Sequence, residues 1–300
     1  MLTGLHIAVI GGDARQLEVI RKLTELDAKV TLIGFEQLDS GFTSASKELM
    51  ADANFEDLDA ILLPVPGTNI EGVVDTIFSN EKVVLTKEIL DSTPSHCTIY
   101  SGISNSYLDS IVTASNRKLV KLFERDDVAI YNSIPTVEGT IMMVIQHTEY
   151  TIHNSKVAVL GLGRTGMSVA RTFHSLGAKV KVGARKSEHI ARIVEMGLEA
   201  FEFKNIEEAI KDVDVVINTV PVQIVTASVI SKLQPHSLII DLASKPGGTD
   251  FRYAEKRGIK ALLAPGLPGI VAPKTAGQII GNVLTQLLKV DLDKRKEQQK

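Results

Sequence analysis

Residues 7–34, IAVIGGDARQLEVIRKLTELDAKVTLIG, align without a gap on residues 157–184, VAVLGLGRTGMSVARTFHSLGAKVKVGA, at an offset of 150 positions. In both copies a β-branched run leads into a glycine turn, then an amphipathic stretch, then a second strand opening on Ala-Lys-Val. Short apolar runs read as strands buried on both faces, and their alternation with amphipathic stretches implies parallel sheets with right-handed crossovers. Further runs at 60–63, 83–86, 98–100, 118–123, 213–220, 237–241 and 260–264 continue the alternation through both halves. The fold class is therefore α/β, with two Rossmann-like parallel-sheet domains. Two βαβ units also resemble each other without a duplication, but the architecture is the same.

Domain boundaries follow from this pattern. An N-terminal substrate or partner domain is expected over 1–133, a linking helix over 134–152 and a dinucleotide domain over 153–273. Pro135 is placed in the first turn of the linking helix, where its missing N–H costs little. A second amphipathic stretch, 274–290, follows Pro273 and is expected to pack back on the first domain, so that two long helices join the halves across a cleft. The polar run KVDLDKRKEQQK at 289–300 is expected to fray.

Composition narrows the function. The 33 basic and 36 acidic side chains give a net charge of −3, against the basic face that nucleic acid needs. One cysteine, Cys97, excludes an internal disulfide, and scattered histidines give no metal site. The apolar N-terminal run is short, ends in glycines and follows no basic stretch, and the window 213–230 is broken by Asp214, Asn218, Pro221 and Gln223. Neither reads as a leader or a membrane span, so a cytoplasmic protein is expected.

Gly161-Leu162-Gly163-Arg164-Thr165-Gly166 carries the chemistry. It follows the strand KVAVL and opens a helix, the context a dinucleotide fingerprint requires. Gly161 allows the tight turn, Gly163 lets backbone approach a pyrophosphate, and Gly166 lets helix and strand pack closely. NAD sites place an acid some 20 residues on, to bind the ribose 2′-OH. Here the chain reads Arg185-Lys186-Ser187, two cations and a hydroxyl, with Arg164 inside the glycine loop. A guanidinium fork suits a phosphate monoester, so the expected cofactor is NADP; a solvated helix start is the alternative for Arg185 and Lys186. In the first half the positions of Gly163 and Gly166 are Asp13 and Gln16, which argues against a second dinucleotide.

Loops after later strands complete the expected site: Thr219, Val220 and Pro221; Ala243 in the loop carrying Lys245; and Gly266. They lie at the C-terminal edge, where parallel sheets hold ligands. Lys245 is a candidate carboxylate anchor or proton donor, or else an exposed lysine. Ser133 and Thr136, placed at the start of the linking helix, offer an anion site or simply a cap. In the first half the stretches 63–69, 86–88 and 101–105 also end strands and suit a small polar acid.

The stretches IAVIGGDARQ, LPVPGTN, NSIPTVEGTI, VLGLGRTGMSVAR, DLASKPGGTDF and APGLPGIVAPKTAG resemble, in order and spacing, the dipicolinate synthase A subunits of endospore-forming bacteria. More distantly the second half is similar to 2-hydroxyacid dehydrogenases, alanine dehydrogenase and adenosylhomocysteinase, without the Arg/Glu/His catalytic set of the first of these. The resemblance implies NADP-dependent oxidation of a dihydrodipicolinate-level intermediate to pyridine-2,6-dicarboxylate during sporulation. It implies a mother-cell cytoplasmic location and an oligomer with a flavoprotein-like B subunit. The substrate is then a small dicarboxylate. The alternatives are an NADP-dependent dehydrogenase of another small amino or hydroxy acid, and a regulatory protein that binds NADP(H) without turnover.

Overall fold

A computed structural model describes residues 1–39 and 41–298. The elements run β1 (His6–Ile10), α1 (Ala14–Glu25), β2 (Lys29–Ile33), β3 (Ala45–Glu48), β4 (Ala60–Leu62), β5 (Val73–Val74), β6 (Val83–Val84), α2 (Lys87–Ser92), β7 (Thr98–Ser101), α3 (Ser106–Ala114), β8 (Lys118–Lys121) and α4 (Asp126–His147). After α4 come β9 (Lys156–Leu160), α5 (Arg164–Ser175), β10 (Lys179–Ala184), α6 (Ser187–Glu195), β11 (Glu199–Glu202), α7 (Ile206–Ala209), β12 (Val215–Asn218), α8 (Ala227–Ile230), β13 (Leu238–Asp241), α9 (Phe251–Lys256), β14 (Lys260–Leu263), α10 (Leu267–Val271) and α11 (Pro273–Gln298). The chain divides into two compact units, one of residues 1–129 with the helix from 273 onward, the other of residues 130–272.

Each unit is built on one six-stranded sheet, ordered β3-β2-β1-β4-β7-β8 in the first and β11-β10-β9-β12-β13-β14 in the second. All pairings within these sheets are parallel. Read in sequence, both orders are 3-2-1-4-5-6, the doubly wound order whose direction of progression reverses beside the first strand. The aligned copies supply equivalent β-α-β elements in each. Central strands are wholly buried, as their unbroken apolar runs require. In the first unit α11 lies against α1. A Cβ at Gly277 would sit 2.3 Å from the Arg15 carbonyl oxygen, so only glycine permits this approach, while Ile280, Val283 and Leu284 of α11 join the core.

Three expectations are corrected. The helix expected over 134–152 starts eight residues earlier, at Asp126, and ends at His147, with Pro135 in its interior. Asp126 and Asp127 in the first turn favour the positive end of the helix. Proline removes the N–H that would serve the carbonyl of Tyr131, an exposed residue, and the following Thr136 hydroxyl donates to the Asn132 carbonyl at 2.7 Å. Among the described helices α4 alone is long and apolar enough to cross a membrane, with a mean hydropathy of 1.3, yet its Val137 and Val144 belong to the core of the second unit. The expected fraying at 289–300 is not seen as far as Gln298, where α11 ends. Tyr100 donates to Asp291 at 2.9 Å and Arg295 pairs with Asp59, which tie that stretch to the sheet; 299–300 lie outside the described residues. Finally, the run 83–86 forms a two-stranded hairpin with β5 rather than joining the main sheet.

Candidate functional site

The two glycine turns begin alike, diverge at the next residue, where Gly12 has positive φ and Leu162 does not, and differ in what fills them. Gly11 and Gly161 both adopt positive φ, and their N–H groups donate to the neighbouring strand, at Ile33 (2.8 Å) and Gly183 (2.9 Å). In the first unit the turn is occupied by the chain itself. The Gly12 N–H donates to the Asp75 carbonyl at 2.7 Å, and the Ile77 N–H donates to the Gly12 carbonyl at 3.1 Å. Phe35 stands at the position equivalent to Arg185 and stacks on Phe78, ring centres 5.4 Å apart. The Asp13 carboxylate caps α1 by accepting from the Arg15 N–H at 2.9 Å and pairs with its guanidinium. Burial alone would raise its pKa, but the Arg15 bonds hold that carboxyl below the ordinary aspartate value.

The second turn is the open one. α5 begins after Gly163 with no side-chain cap, and among the described residues no acceptor meets the Leu162 N–H. A Cβ at Gly163 would touch nothing within 4 Å, so the space above the turn is clear. A Cβ at Gly166 would fall 2.1 Å from the Gly161 carbonyl oxygen, and one at Gly161 would fall 2.6 Å from Thr219 Oγ1. Helix and strand are thus pressed together below the turn and leave backbone N–H groups above it. A twelve-residue helix ending so presents partial positive charge to an anion.

Beside this turn lies a cavity of about 450 Å³. Gly161, Leu162, Arg185, Lys186, Val220 and Pro221, all read as cofactor residues from sequence, line it. So do Ala184, His189, Phe203, Val222 and Ile224, which sequence reasoning missed. The cavity is apolar along the 220–224 loop and Phe203 and cationic at Arg185, a lining able to hold a flat apolar ring beside a negative charge. Arg185, Lys186 and Ser187 are exposed at the start of α6, and Lys186 Nζ lies 3.6 Å from Glu188. α6 also lacks a side-chain cap.

The loops at the C-terminal edge of β12 and β13 are held by two buried polar side chains that sequence reasoning did not place in the site. Asn218 and Asp241 are in register at the ends of adjacent strands and wholly buried. The Asn218 side chain accepts from the Val220 N–H and donates to the Val220 carbonyl, both at 3.0 Å. The Asp241 carboxylate accepts from Ala243 N–H (3.0 Å), Gly248 N–H (2.8 Å) and Thr249 hydroxyl (2.6 Å), and so closes the loop carrying Lys245. A polar residue ending an otherwise apolar run, as in VVIN and LIID, was the available signal. Within that loop Ala243 is buried and Lys245 exposed, with a cis peptide bond before Pro246. Thr219 donates to the Leu160 carbonyl at 2.8 Å, Thr165 is half-buried on α5, and Gly266 is exposed in a left-handed conformation before α10.

Ser133 and Thr136 do not start a helix, because α4 begins at Asp126, and so they form no N-terminal anion site. Ser133 is buried, and its hydroxyl donates to the Ile130 carbonyl at 2.6 Å. It therefore accepts from Ser168 of α5 at 2.7 Å, a link that fixes α5 against α4. Thr136 is spent on Asn132. Both serve packing.

Residues 6–123 match the family of N-terminal domains of the dipicolinate synthase A subunit, and residues 107–299 match the alanine dehydrogenase/PNT C-terminal domain family. The chain is 67% identical over 288 residues to the dipicolinate synthase A subunit of Bacillus subtilis (strain 168), covering 96% of this chain and 97% of that protein. It is similar to the crystal structure of the dipicolinate synthase A subunit from Bacillus halodurans, at 64% identity and a TM-score of 0.95, over 96% of this chain and 99% of that one. The transhydrogenase of Sinorhizobium meliloti shares the fold at a TM-score of 0.68 and 16% identity, over 95% and 94% of the two chains.

Proposed function

The chain belongs to the family of dipicolinate synthase A subunits, and on that premise we propose that it is an NADP-dependent oxidoreductase that converts a dihydrodipicolinate-level intermediate to dipicolinate. Its dehydrogenase-type fold supports an oxidoreductase with a nicotinamide cofactor. The observation that carries the choice of NADP is the cavity beside the second glycine turn, which Arg185 and Lys186 line and no carboxylate lines. A 2′-phosphate matches that charge and a bare ribose does not.

The residues present fit the group. The uncapped start of α5 and the Leu162 N–H would hold the pyrophosphate, and the Phe203 and 220–224 walls the adenine. When bound, the cofactor supplies the hydride acceptor. Removal of a hydride and a ring proton aromatises a dihydropyridine, a strongly downhill step. The protein's part is then orientation, for which Asn218 and Asp241 keep the edge loops rigid. Lys245, exposed on the second of these loops, is the cation we assign to a substrate carboxylate. A flavoprotein-like B subunit as partner, an oligomeric assembly and the mother-cell cytoplasm as compartment complete the proposal.

The test combines the purified chain, its flavoprotein-like partner, NADP⁺ and freshly generated dihydrodipicolinate. NADPH and dipicolinate should appear in equal amounts, and a chain lacking Arg164 and Arg185 should be slower at limiting NADP⁺. Dipicolinate formed equally well without the dinucleotide would leave a scaffolding or sensing role instead. Faster turnover of another small amino or hydroxy acid would change the substrate.

A further inference from the structure

The cationic end of the 450 Å³ cavity contains a third nitrogenous group that no sequence motif marks, His189. It is half-buried, in the first turn of α6, four positions after Arg185, and it lines the cavity with Arg185 and Lys186. We propose that His189 is a specificity-determining residue, the pH-dependent arm of the 2′-phosphate site. The inference rests on the NADP reading and adds to it which residue sustains the preference as the pH falls.

Four observations support this assignment. α6 has nine residues and no side-chain cap at Lys186, so its first N–H groups share one end of the helix with Arg185, Lys186 and His189. Lys186 is drawn toward Glu188 at 3.6 Å, which leaves less of its charge for a ligand. The cavity's other walls, Phe203 and the loop 220–224, are uncharged. His189 is half-buried where Arg185 and Lys186 are exposed.

The charges around His189 oppose one another. Arg185, Lys186 and the positive end of α6 lie on one side of the balance and Glu188 on the other. Of the other charges on α6 and beside β11, Arg192 pairs with Glu195 at 2.8 Å and Lys204 with Glu202 at 2.8 Å. A dianionic phosphate placed among them adds the missing negative charge. Imidazole is the side chain that gains a proton within the range of pH where this matters.

The measurement is the ratio of NAD⁺ to NADP⁺ dissociation constants from pH 8 to pH 5.5, at constant ionic strength, for the wild-type chain, His189→Gln and His189→Lys. A phosphate monoester takes up its own second proton near pH 6, which lowers the preference for NADP⁺ as the pH falls. In His189→Gln that decline should be bare. In the wild type, protonation of the imidazole should offset it, so that the two ratios diverge by about 2- to 5-fold at the acidic end. His189→Lys, charged throughout, should exceed His189→Gln at every pH. The NAD⁺ constants report whether each variant is folded and should stay within about twofold of the wild type, since the site of change is the phosphate alone. Superimposed wild-type and His189→Gln profiles, with NADP⁺ still preferred, would overturn the role of His189 and spare the cofactor assignment. Equal binding of the two cofactors by the wild type at every pH would overturn both.

Discussion

Replacing Arg185 by Asp and Lys186 by Ser should turn the cofactor preference from NADP⁺ toward NAD⁺. Arg185 lines the cavity from an exposed position at the end of β10, where NAD-binding folds carry an acid for the ribose hydroxyls. A charge-assisted bond from a guanidinium to a phosphate contributes about 1.5–3 kcal/mol, which is roughly 10- to 150-fold in affinity. Lys186 adds less, because it is exposed and already drawn to Glu188. The expected loss for NADP⁺ is therefore at least about tenfold and is set mainly by Arg185. For NAD⁺ the new Asp should hold or improve binding, because it accepts from a hydroxyl that Arg185 cannot accept from. The assay is fluorescence titration of NADPH and NADH at two salt concentrations, since an exposed charge pair weakens as the Debye length shrinks from about 10 Å at 0.1 M to about 3 Å at 1 M. Relative affinities that do not move, or that move without salt dependence, would refute the 2′-phosphate argument while leaving the turn itself intact.

Three further outcomes are expected. Gly163→Ala has open space for its Cβ and should keep the thermal stability of the parent, yet weaken NADPH by about tenfold or more by standing where a phosphate must approach backbone; Gly166→Ala, with its Cβ 2.1 Å from the Gly161 oxygen, should cost about 1–3 kcal/mol or more in urea unfolding. Calorimetry should count one dinucleotide per chain, and the Gly12 amide, bonded to Asp75, should exchange slowly with or without NADPH, whereas the Leu162 amide should slow only on binding. Asp13→Ala should destabilise the first unit by about 1 kcal/mol at neutral pH. Since the folded-state pKa of Asp13 is depressed, that contribution is present above the ordinary aspartate value and disappears as pH falls through the folded one, so parent and variant should converge in acid.

The parts of this molecule that are readable in the sequence are those where a residue type answers a local demand. The central strands show as unbroken apolar runs because both of their faces are covered, and β1, β2 and β9 span the residues the runs mark. The edge strands β3 and β11 are not readable: Ala-Ser-Lys-Glu and Glu-Ala-Phe-Glu are half-exposed, so no hydrophobic pattern is imposed on them. The start of α4 is misplaced from sequence because Pro135 suits a first turn, whereas an exposed Tyr131 and the hydroxyl of Thr136 make an interior proline tolerable. In the site, the turn and the Arg185-Lys186 pair are legible as motifs. His189 and Phe203 reach the cavity only through the packing of α6 and the turn after β11, so no local pattern marks them. The strap of residues 74–78 that fills the first turn is likewise a tertiary fact.

The likeness of the two units reaches further than the aligned segments. Asp59, just before β4, accepts from the His6 N–H at 2.8 Å and lies 3.2 Å from His96 Nε2. Asp214, just before β12, accepts from the Lys156 N–H at 2.7 Å and lies 3.1 Å from His236 Nε2. His96 and His236 each stand two residues before the residue whose N–H bonds the corresponding aspartate carbonyl, Thr98 and Leu238. An Asp–His clamp at the N-terminal edge of the sheet therefore recurs in both units, although the spacings along the chain differ and no gapless alignment shows it. The two units keep the same device at the edge that only needs to be stable. They part at the opposite edge, where one turn is closed by Asp13, Gln16 and its own strap and the other keeps glycine and free backbone. Two sheets of one design thus differ at one edge, and on the function proposed above the asymmetry lies in the few residues that decide whether a glycine turn meets peptide or phosphate.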